Sequence, residues 1–383
     1  MYNFNYHNPV KVIFGKNTIP QIKNEIPAKS RILITYGSGS IKNNGIYKQA
    51  MDALSSFTTF EFGGIEPNPE YETLMKAVKI IKDKNIDFLL AIGGGSVLDG
   101  TKFIAAAAYH NGEEAWDILS KGATVKKAIT LSCIMTLPAT GSEMNSFAVI
   151  SRREIKQKLA FGSPFLFPKF SVLDPLFLQS LPQKQKANGV ADAFIHVLEQ
   201  YLTFPNQAEI QDRWAEGLLL TLLQFGKDYV YQDYNYHTSA NIMWAATCAL
   251  NGMIGSGVPH DWATHAIGHE LTALFELDHA ETLVIILPGM IRAMKKEKEE
   301  KLKRFALHVF GIKTENYSID RVVKSTENFF QSLGMKTRLS DFHINEKDFV
   351  KIINNLSKGK AINLGEQGLV NEKKVLEILN YRL

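Results

Sequence analysis

Apolar and polar residues follow two different patterns along the chain, and the first is confined to its N-terminal part. Short apolar runs bounded by turn residues occur there at residues 31–36, 58–62, 88–92 and 128–137. Segments with helical spacing lie between them, near residues 46–54, 71–84 and 97–109. Apolar runs of this kind are typical of buried parallel strands. Their alternation with helices predicts an α/β domain built on a parallel, doubly wound sheet.

The second pattern begins after about residue 182, where strand-like runs disappear and helical periodicity continues. Clear examples are residues 214–225, 240–253 and 301–310. A chain of 383 residues is too long for one ordinary hydrophobic core, so two domains are expected. We therefore predict an α/β domain over residues 1–181 and an all-helical domain over residues 182–383.

Composition excludes several classes of protein. Hydrophobic residues make up 45% and charged residues 21%, which is typical of a globular protein. The net charge is only +4, and the densest charge run, residues 295–304, mixes both signs, so no nucleic-acid partner is expected. No apolar stretch is long enough to span a membrane. Two distant cysteines and an N-terminus without a secretion signal predict a cytoplasmic protein.

Four histidines fall within twenty residues of the helical part, and they are His260, His265, His269 and His279. His265 and His269 are four residues apart in a helical pattern, so they share one face of the helix. Imidazole is the commonest ligand of transition metals, and a metal site needs three or four donors. This segment can supply two or three of them.

A second pair at the same spacing lies upstream in another apolar helical pattern. Asp192 and His196 are four residues apart, so they also share one helix face. Two helices that each offer such a pair can hold a cation between them. The alternative is that these are ordinary core or surface residues, which is the usual role of a single histidine.

Glycines mark a candidate phosphate-binding loop in the α/β part. Gly93, Gly94, Gly95 and Ser96 follow a predicted strand and open a predicted helix. Glycines let a backbone approach a phosphate closely, and a helix N-terminus favours anions. Asp99, in the first turns of that helix, is expected to face the same crevice. A plain tight turn is the alternative explanation.

The loop after the first predicted strand contains no acidic residue. Its residues with binding potential are Gly37, Ser38, Ser40 and Lys42. A carboxylate at this place usually binds the ribose hydroxyls of NAD, whereas hydroxyls and a lysine suit the 2′-phosphate of NADP. A polar surface turn is the alternative. Thr136 and Thr140 follow another strand, at the sheet edge where ligands bind, and Lys158 either reaches the cofactor or is exposed.

Several motifs match, in order and separation, a known family. They are FGK at 14–16, GGGSVLDGTK at 93–102, TLPATGSE at 136–143, NGVADAFIHVLEQY at 188–201 and the histidine-rich segment at 260–283. With these motifs the chain resembles the iron-containing (group III) alcohol dehydrogenases. It looks closest to their NADPH-dependent aldehyde reductase or butanol dehydrogenase branch.

The resemblance implies a dinucleotide-binding domain, a metal-binding domain and an active site between them. It implies these metal ligands: Asp192, His196, His265 and His279. His269 is then not a ligand but lies near the nicotinamide, and we expect it to relay a proton. The resemblance also implies that Thr136, Thr140 and Lys158 line the cofactor, that the metal is Fe²⁺ or Zn²⁺, and that the protein is a homodimer. His260 has no assigned role beyond helix entry or the surface.

The expected function is reversible hydride transfer between NADP(H) and a small aldehyde or primary alcohol. One alternative is a metal-dependent lyase resembling dehydroquinate synthase, whose phosphate- and carboxylate-bearing substrate needs a basic pocket. Residues 240–290 contain no lysine or arginine, which disfavours it. A non-redox metallohydrolase is a second alternative and would not need the cofactor loops. A catalytically silent nucleotide-binding protein is a third and would not need four metal ligands.

Overall fold

The structure is a computed structural model that describes residues 1–358 and 360–383. The chain forms two compact units. The sheet unit contains His7–Pro182 and Tyr234–Thr247, and the helical unit contains Met1–Tyr6, Gln183–Asp233 and Cys248–Leu383. No helix in the described part of the chain is long and apolar enough to cross a membrane.

The strands all lie in the sheet unit, as far as the described residues show. They are β1 (Lys11–Phe14), β2 (Arg31–Tyr36), β3 (Thr58–Phe62), β4 (Phe88–Gly93), β5 (Thr130–Met135), β6 (Phe147–Arg152), β7 (Gln157–Gly162) and β8 (Phe170–Leu173). Six of them form a parallel sheet in the order β1-β8-β5-β4-β2-β3. The other two, β6 and β7, pair as an antiparallel hairpin.

The helices follow the change of pattern in the sequence. They are α1 (Ser40–Asn43), α2 (Ile46–Ala53), α3 (Tyr71–Lys84), α4 (Gly95–Ala107), α5 (Asp117–Ser120), α6 (Gln183–Tyr201), α7 (Glu209–Tyr231), α8 (Tyr236–Ala249), α9 (Ala263–Phe275), α10 (His279–Ala293), α11 (Glu299–His308), α12 (Ile319–Ser332), α13 (Glu346–Ser357) and α14 (Glu372–Asn380). Short 3₁₀ segments lie at Ile19–Asn24, Ser142–Met144, Arg153–Ile155, Pro164–Leu166, Pro175–Ser180, Thr314–Asn316 and Ser340–Phe342.

The centre of the sheet is apolar on both faces. In β4 the side chains from Phe88 to Ile92 are all buried, and in β2 the residues from Ile32 to Thr35 are buried as well. Strands covered on both faces read as continuous apolar runs, which is why they were visible in the sequence. The order in which successive strands are added across the sheet reverses between β2 and β4, because β3 lies on one side of β2 and β4 on the other. Ligands of such sheets bind at the carboxyl ends of these two strands.

The predicted fold class is confirmed: a parallel sheet with alternating helices, followed by helices alone. The structure adds β1, β6, β7 and β8, which were not predicted as strands. The predicted helix at residues 240–253 ends earlier, since α8 stops at Ala249. The helical unit has its own core, in which Ile267 and Leu271 of α9 pack with Ile285 and Ile286 of α10.

Candidate functional site

Three side chains from three helices of the helical unit converge on one point. Asp192 lies on α6, His265 on α9, and His279 is the first residue of α10. One donor atom from each lies within 4.8 Å of the other two. Nε2 of His265 and Nε2 of His279 are 4.0 and 3.7 Å from Oδ1 of Asp192. The arrangement is therefore that of a cation site whose donors are one carboxylate and two imidazoles.

The carboxylate of Asp192 supports a metal at this point. Its side chain is 4% exposed, and Oδ1 accepts no hydrogen bond from any described residue. Leaving a buried carboxylate oxygen without a partner is costly, and such atoms call for an explanation. A divalent cation at the convergence point of the three donors removes this cost. The residues present therefore fit a metal, and oxygen with imidazole nitrogen suits both Zn²⁺ and Fe²⁺.

Two more histidines adjoin these three donors. Nδ1 of His196 is 3.6 Å from Oδ1 of Asp192, and its ring stacks on His265 with centroids 4.8 Å apart. His269 lies farther out, with its ring 6.2 Å from that of His265 and 5.4 Å from that of His279. The assignment of His196 as the fourth ligand, and of His269 as a neighbour that is not a ligand, stays a prediction.

Glu199 holds His265 in place and was missed by the sequence analysis. Nδ1 of His265 and Oε2 of Glu199 form a short hydrogen bond in the interior. The other carboxylate oxygen accepts the backbone N–H of Thr264 at 2.7 Å. With its proton held on Nδ1, the His265 ring presents Nε2 to Asp192, which is the nitrogen that a metal needs. The available signal was spacing, because Glu199 is three residues after His196 on the same helix face.

Glu199 lies among other buried charges. Burial, aided by the negative charge of Asp261, raises the pKa of Glu199 to about 8. A cation held by the adjacent donors would oppose this rise and favour the carboxylate form that accepts from His265. Asp261 forms a buried ion pair with Lys298, and Lys298 also contacts Glu366 at 3.2 Å. The ammonium group of Lys298 thus pairs with the carboxylates of Asp261 and Glu366 and lies near Glu199. Buried charges persist only when paired in this way.

Helix ends fix the position of His279. Asp278 caps α10, and Glu281 completes a capping box with it. Lys184, at the start of α6, reaches both carboxylates, at 2.8 and 3.0 Å. Helices α9 and α10 pack closely where Gly268 faces Thr282, since a Cβ on Gly268 would lie 2.8 Å from the threonine hydroxyl. Close packing and capping therefore set the distances between the candidate ligands.

The sheet unit brings the predicted cofactor loops together. The loops after β2 and β4 are neighbours, because Tyr36 pairs with Ile92 at the carboxyl ends of these strands. The loop after β5 adjoins them, with Thr136 N–H donating to the carbonyl of Gly93 at 3.0 Å. A Cβ on Gly95 would lie 2.5 Å from the side chain of Thr140. Only glycine fits there, so the backbone at the start of α4 is held close to this loop.

Two charged residues beneath these loops are tied into hydrogen bonds. Asp99 accepts from Ser142 Oγ at 2.6 Å and from the backbone N–H of Val149 at 2.9 Å, and burial raises its pKa. Lys158 donates to Asn68 Oδ1 at 2.8 Å, and the backbone N–H of Asn68 donates to Ser96 Oγ at 3.4 Å. Asp99 therefore ties α4 to the segment after β5, and Lys158 is linked through Asn68 to Ser96 of the glycine loop. The contact of either residue with a cofactor stays a prediction.

The loop after β2 has an acidic neighbour that the sequence did not reveal. Lys42 forms an ion pair with Glu61 of β3 at 2.8 Å. The loop itself lacks acids, as predicted, but β3 lies beside β2 and brings this carboxylate to the lysine. The residues are nineteen positions apart in sequence, so only the strand order shows the contact.

Family models match almost the whole chain. Residues 9–175 match the model described as iron-containing alcohol dehydrogenase, and residues 186–383 match the C-terminal model of the Fe-containing alcohol dehydrogenase family. The chain belongs to the iron-containing alcohol dehydrogenase family. The resemblance inferred from the motifs is thereby confirmed.

Individual members of the iron-containing alcohol dehydrogenase family are similar over their full length. The chain is 50% identical over 370 residues to the NADPH-dependent aldehyde reductase YqhD of Escherichia coli K12, covering 96% of each chain. It is 37% identical to the NADH-dependent butanol dehydrogenase A of Clostridium acetobutylicum, covering 99% of each.

Solved structures of this family have the same fold. The crystal structure of E. coli YqhD matches with a TM-score of 0.97 and 48% identity, over 100% of this chain and 99% of that one. An NADH-dependent butanol dehydrogenase A from Thermotoga maritima matches with a TM-score of 0.94 and 34% identity, over 100% and 99%.

Within this iron-containing alcohol dehydrogenase, His260 and Trp262 lead into α9. Nε2 of His260 is 2.9 Å from the carbonyl oxygen of Gly255, which gives this histidine a place at the helix entry. Trp262 has a positive φ of 59° and its ring lies 5.3 Å from that of His265. A left-handed backbone is rare for a bulky residue, and such strain is often found at functional sites.

Proposed function

We propose that this protein is a metal-dependent reductase that transfers hydride from NADPH to small aldehydes, and in reverse from primary alcohols to NADP⁺. The observation that carries the proposal is that donor atoms of Asp192, His265 and His279 lie within 4.8 Å of one another, while the buried Oδ1 of Asp192 accepts no hydrogen bond from the described residues. Its 50% identity to an NADPH-dependent aldehyde reductase supports the choice of substrate and cofactor. Relatives named as NADH-dependent make cofactor choice the part that most needs a test.

We propose that the metal ligands are Asp192, His196, His265 and His279. When bound, NADPH supplies the hydride, and Fe²⁺ or Zn²⁺ supplies a Lewis acid that polarises the carbonyl. Glu199 keeps the proton of His265 on Nδ1 and its Nε2 towards the other donors. His269, beside this set, provides the proton that the oxygen of the product alcohol takes up.

We propose that the cofactor lies at the carboxyl ends of β2, β4 and β5. The glycine loop at 93–96 accommodates the diphosphate, and Thr136, Thr140 and Lys158 line the remainder. Asp99, on the helix that this loop opens, bonds Ser142 after β5 and is expected to face the same crevice. The segment after β2, with Gly37 and Ser38 in the loop and Ser40 and Lys42 on α1, binds the 2′-phosphate.

We further propose a functional division at residue 181, with the cofactor bound by residues 1–181 and the metal by residues 182–383. The protein is proposed to act as a homodimer in the cytoplasm. Light scattering of the purified protein measures the oligomeric state directly.

The test combines turnover with metal content. NADPH oxidation is followed at ~340 nm with butanal, NADH is compared, and bound metal is measured by elemental analysis. The proposal expects NADPH consumption that depends on butanal and on about one equivalent of Fe or Zn. A protein that binds metal but consumes neither cofactor, with butanal or other aldehydes, contradicts it.

A further inference from the structure

The carboxylate of Glu61 gathers three donors at the predicted 2′-phosphate loop. Lys42 Nζ donates to Oε2 at 2.8 Å, and the Tyr36 hydroxyl donates to the same oxygen at 3.0 Å. The Tyr47 hydroxyl donates to Oε1. These residues come from the end of β2, from α1, from α2 and from β3. Glu61 therefore organises a small polar cluster at the surface of the sheet unit.

Lys42 is held between two aromatic rings inside this cluster. Its Nζ lies 4.9 Å from the centroid of the Tyr36 ring and 4.9 Å from that of the Tyr47 ring. The lysine side chain is 44% exposed, so its ammonium group is accessible from solvent. A cation between aromatic faces is well oriented, and its remaining N–H groups can donate to an incoming anion.

Both members of the Lys42–Glu61 pair are ionised near neutral pH. The hydrogen bond to Glu61 raises the pKa of Lys42. Partial burial by itself would raise the pKa of Glu61, but hydrogen bonds from Lys42, Tyr47 and Tyr36 lower it overall. The cluster thus presents one positive and one negative charge to any ligand of the loop.

A 2′-phosphate bound by Lys42 would lie only a few ångströms from this negative charge. The phosphate carries nearly two negative charges near neutral pH, so the carboxylate repels it while the ammonium group attracts it. The ribose hydroxyl of NADH carries no charge at this place and is hardly affected. The contribution of Glu61 therefore differs between the two cofactors, which is the condition for specificity.

We propose that Glu61 is a specificity-determining residue that limits the preference for NADPH over NADH. This inference rests on the proposed function, in which the loop after β2 binds the 2′-phosphate. Glu61 adds a negative potential where the 2′-phosphate binds, and removing its charge strengthens the discrimination. A purely structural role for Glu61 predicts the opposite, because loss of the cluster would disorder Lys42 and weaken NADPH use.

The decisive variant is Glu61→Gln, which keeps the size and one acceptor oxygen but removes the charge. The matched control is Asp52→Asn on α2, which removes the carboxylate that pairs with Lys48 at the surface. Lys42→Met, alone and combined with Glu61→Gln, tests whether the effect of the charge persists without the lysine. The holoenzyme is used throughout, and melting temperatures show that the variants are folded.

Two measurements are made on each protein. The first is kcat/KM for NADPH and for NADH with butanal. The second is the affinity for adenosine 2′,5′-bisphosphate and for 5′-AMP, by calorimetry at low and at moderate salt. The nucleotide probes carry no nicotinamide, so the second measurement is independent of the metal, the aldehyde and catalysis.

For Glu61→Gln we expect the ratio of kcat/KM for NADPH to kcat/KM for NADH to rise about three- to tenfold. We expect a similar gain in affinity for adenosine 2′,5′-bisphosphate and no gain in affinity for 5′-AMP. The gain should shrink at higher salt and should persist in the Lys42→Met background. An unchanged or lower ratio, an equal change for both cofactors, or the same gain in Asp52→Asn overturns the inference. If wild type reduces no aldehyde, the proposed function fails, while the nucleotide affinities still decide the role of Glu61.

Discussion

Glu199 of α6 accepts a hydrogen bond from Nδ1 of His265 on α9, in the interior of the helical unit. Its other oxygen accepts the backbone N–H of Thr264, so one carboxylate fixes both the ring and the first turn of its helix. A carboxylate behind a ligating imidazole raises the basicity of the ligand and fixes its orientation. The contact therefore links the packing of two helices to the chemistry at Asp192.

Glu199→Gln is expected to weaken metal binding about 10–100-fold while the protein stays folded. Glutamine has one acceptor oxygen, so it cannot satisfy both Nδ1–H of His265 and N–H of Thr264. One of these donors would then face an amide N–H in the interior. Affinity is measured by competition with a chelator, and folding by thermal denaturation. Unchanged metal affinity would show that Glu199 has no part in the site.

His265→Ala is expected to lose both metal and turnover, because the remaining donors hold a cation poorly. The matched control is His260→Ala, which removes an imidazole five residues earlier whose Nε2 is 2.9 Å from the carbonyl oxygen of Gly255. The control should keep its metal. Elemental analysis of both variants provides the measurement, and a full metal equivalent in His265→Ala would contradict the ligand assignment.

His269→Ala is expected to keep its metal and to turn over about 10²–10⁴-fold more slowly. Its ring lies beside those of His265 and His279 but outside the three converging donors. Removing a proton relay affects the chemical step, whereas removing a ligand affects binding of the metal. The rate and the metal content are measured on the same preparation. Loss of metal would make His269 a ligand and require a new assignment of the site.

Regular spacing explains what the sequence could predict. Asp192 with His196, and His265 with His269, are one helical turn apart in apolar surroundings, so their helices and shared faces were evident. The glycine loop was evident because a continuous apolar strand precedes it. Local pattern is sufficient where a helix or a central strand is buried along its whole length.

The missed features depend on contacts between distant segments. Glu199 bonds a residue sixty-six positions away, and Glu61 reaches Lys42 only because β3 lies beside β2. Strands β6 and β7 form a hairpin outside the main sheet, and their apolar runs, FAVI and LAF, are short. Spacing along the sequence does not encode which strands or helices become neighbours.

Gly37→Asp is expected to reverse the preference for NADPH. The new carboxylate would accept from the ribose hydroxyls of NADH and repel the 2′-phosphate of NADPH, with a loss of about 5–30-fold in kcat/KM for NADPH. A Cβ at this position would lie 3.3 Å from the carbonyl oxygen of Ile65, so the backbone must shift slightly. Gly37→Ala controls for that shift. If the wild type already uses NADH as well as NADPH, the loop does not select for the 2′-phosphate.

Arg382 stabilises the helical unit by linking the C-terminal residues to α10. Arg382 is 2% exposed and donates through Nε to the carbonyl of Ile285 at 2.7 Å. Pro288, inside α10, has no N–H to donate to the carbonyl of Val284, and Arg382 bonds the next carbonyl, that of Ile285. Arg382 also pairs with Glu327.

Arg382→Met should therefore lower the free energy of unfolding by about 2–4 kcal/mol, because buried acceptors lose a charged donor. The control is Arg338→Met, since Arg338 pairs with the same Glu327 at 3.1 Å but its side chain is 42% exposed. That exposed pair should contribute less than about 1 kcal/mol. Denaturant unfolding of the metal-loaded protein measures both. Of the two arginines, only Arg382 reaches the carbonyl of Ile285. Equal losses of unfolding free energy in the two variants would therefore mean that the ion pair with Glu327, and not the bond to α10, accounts for the effect.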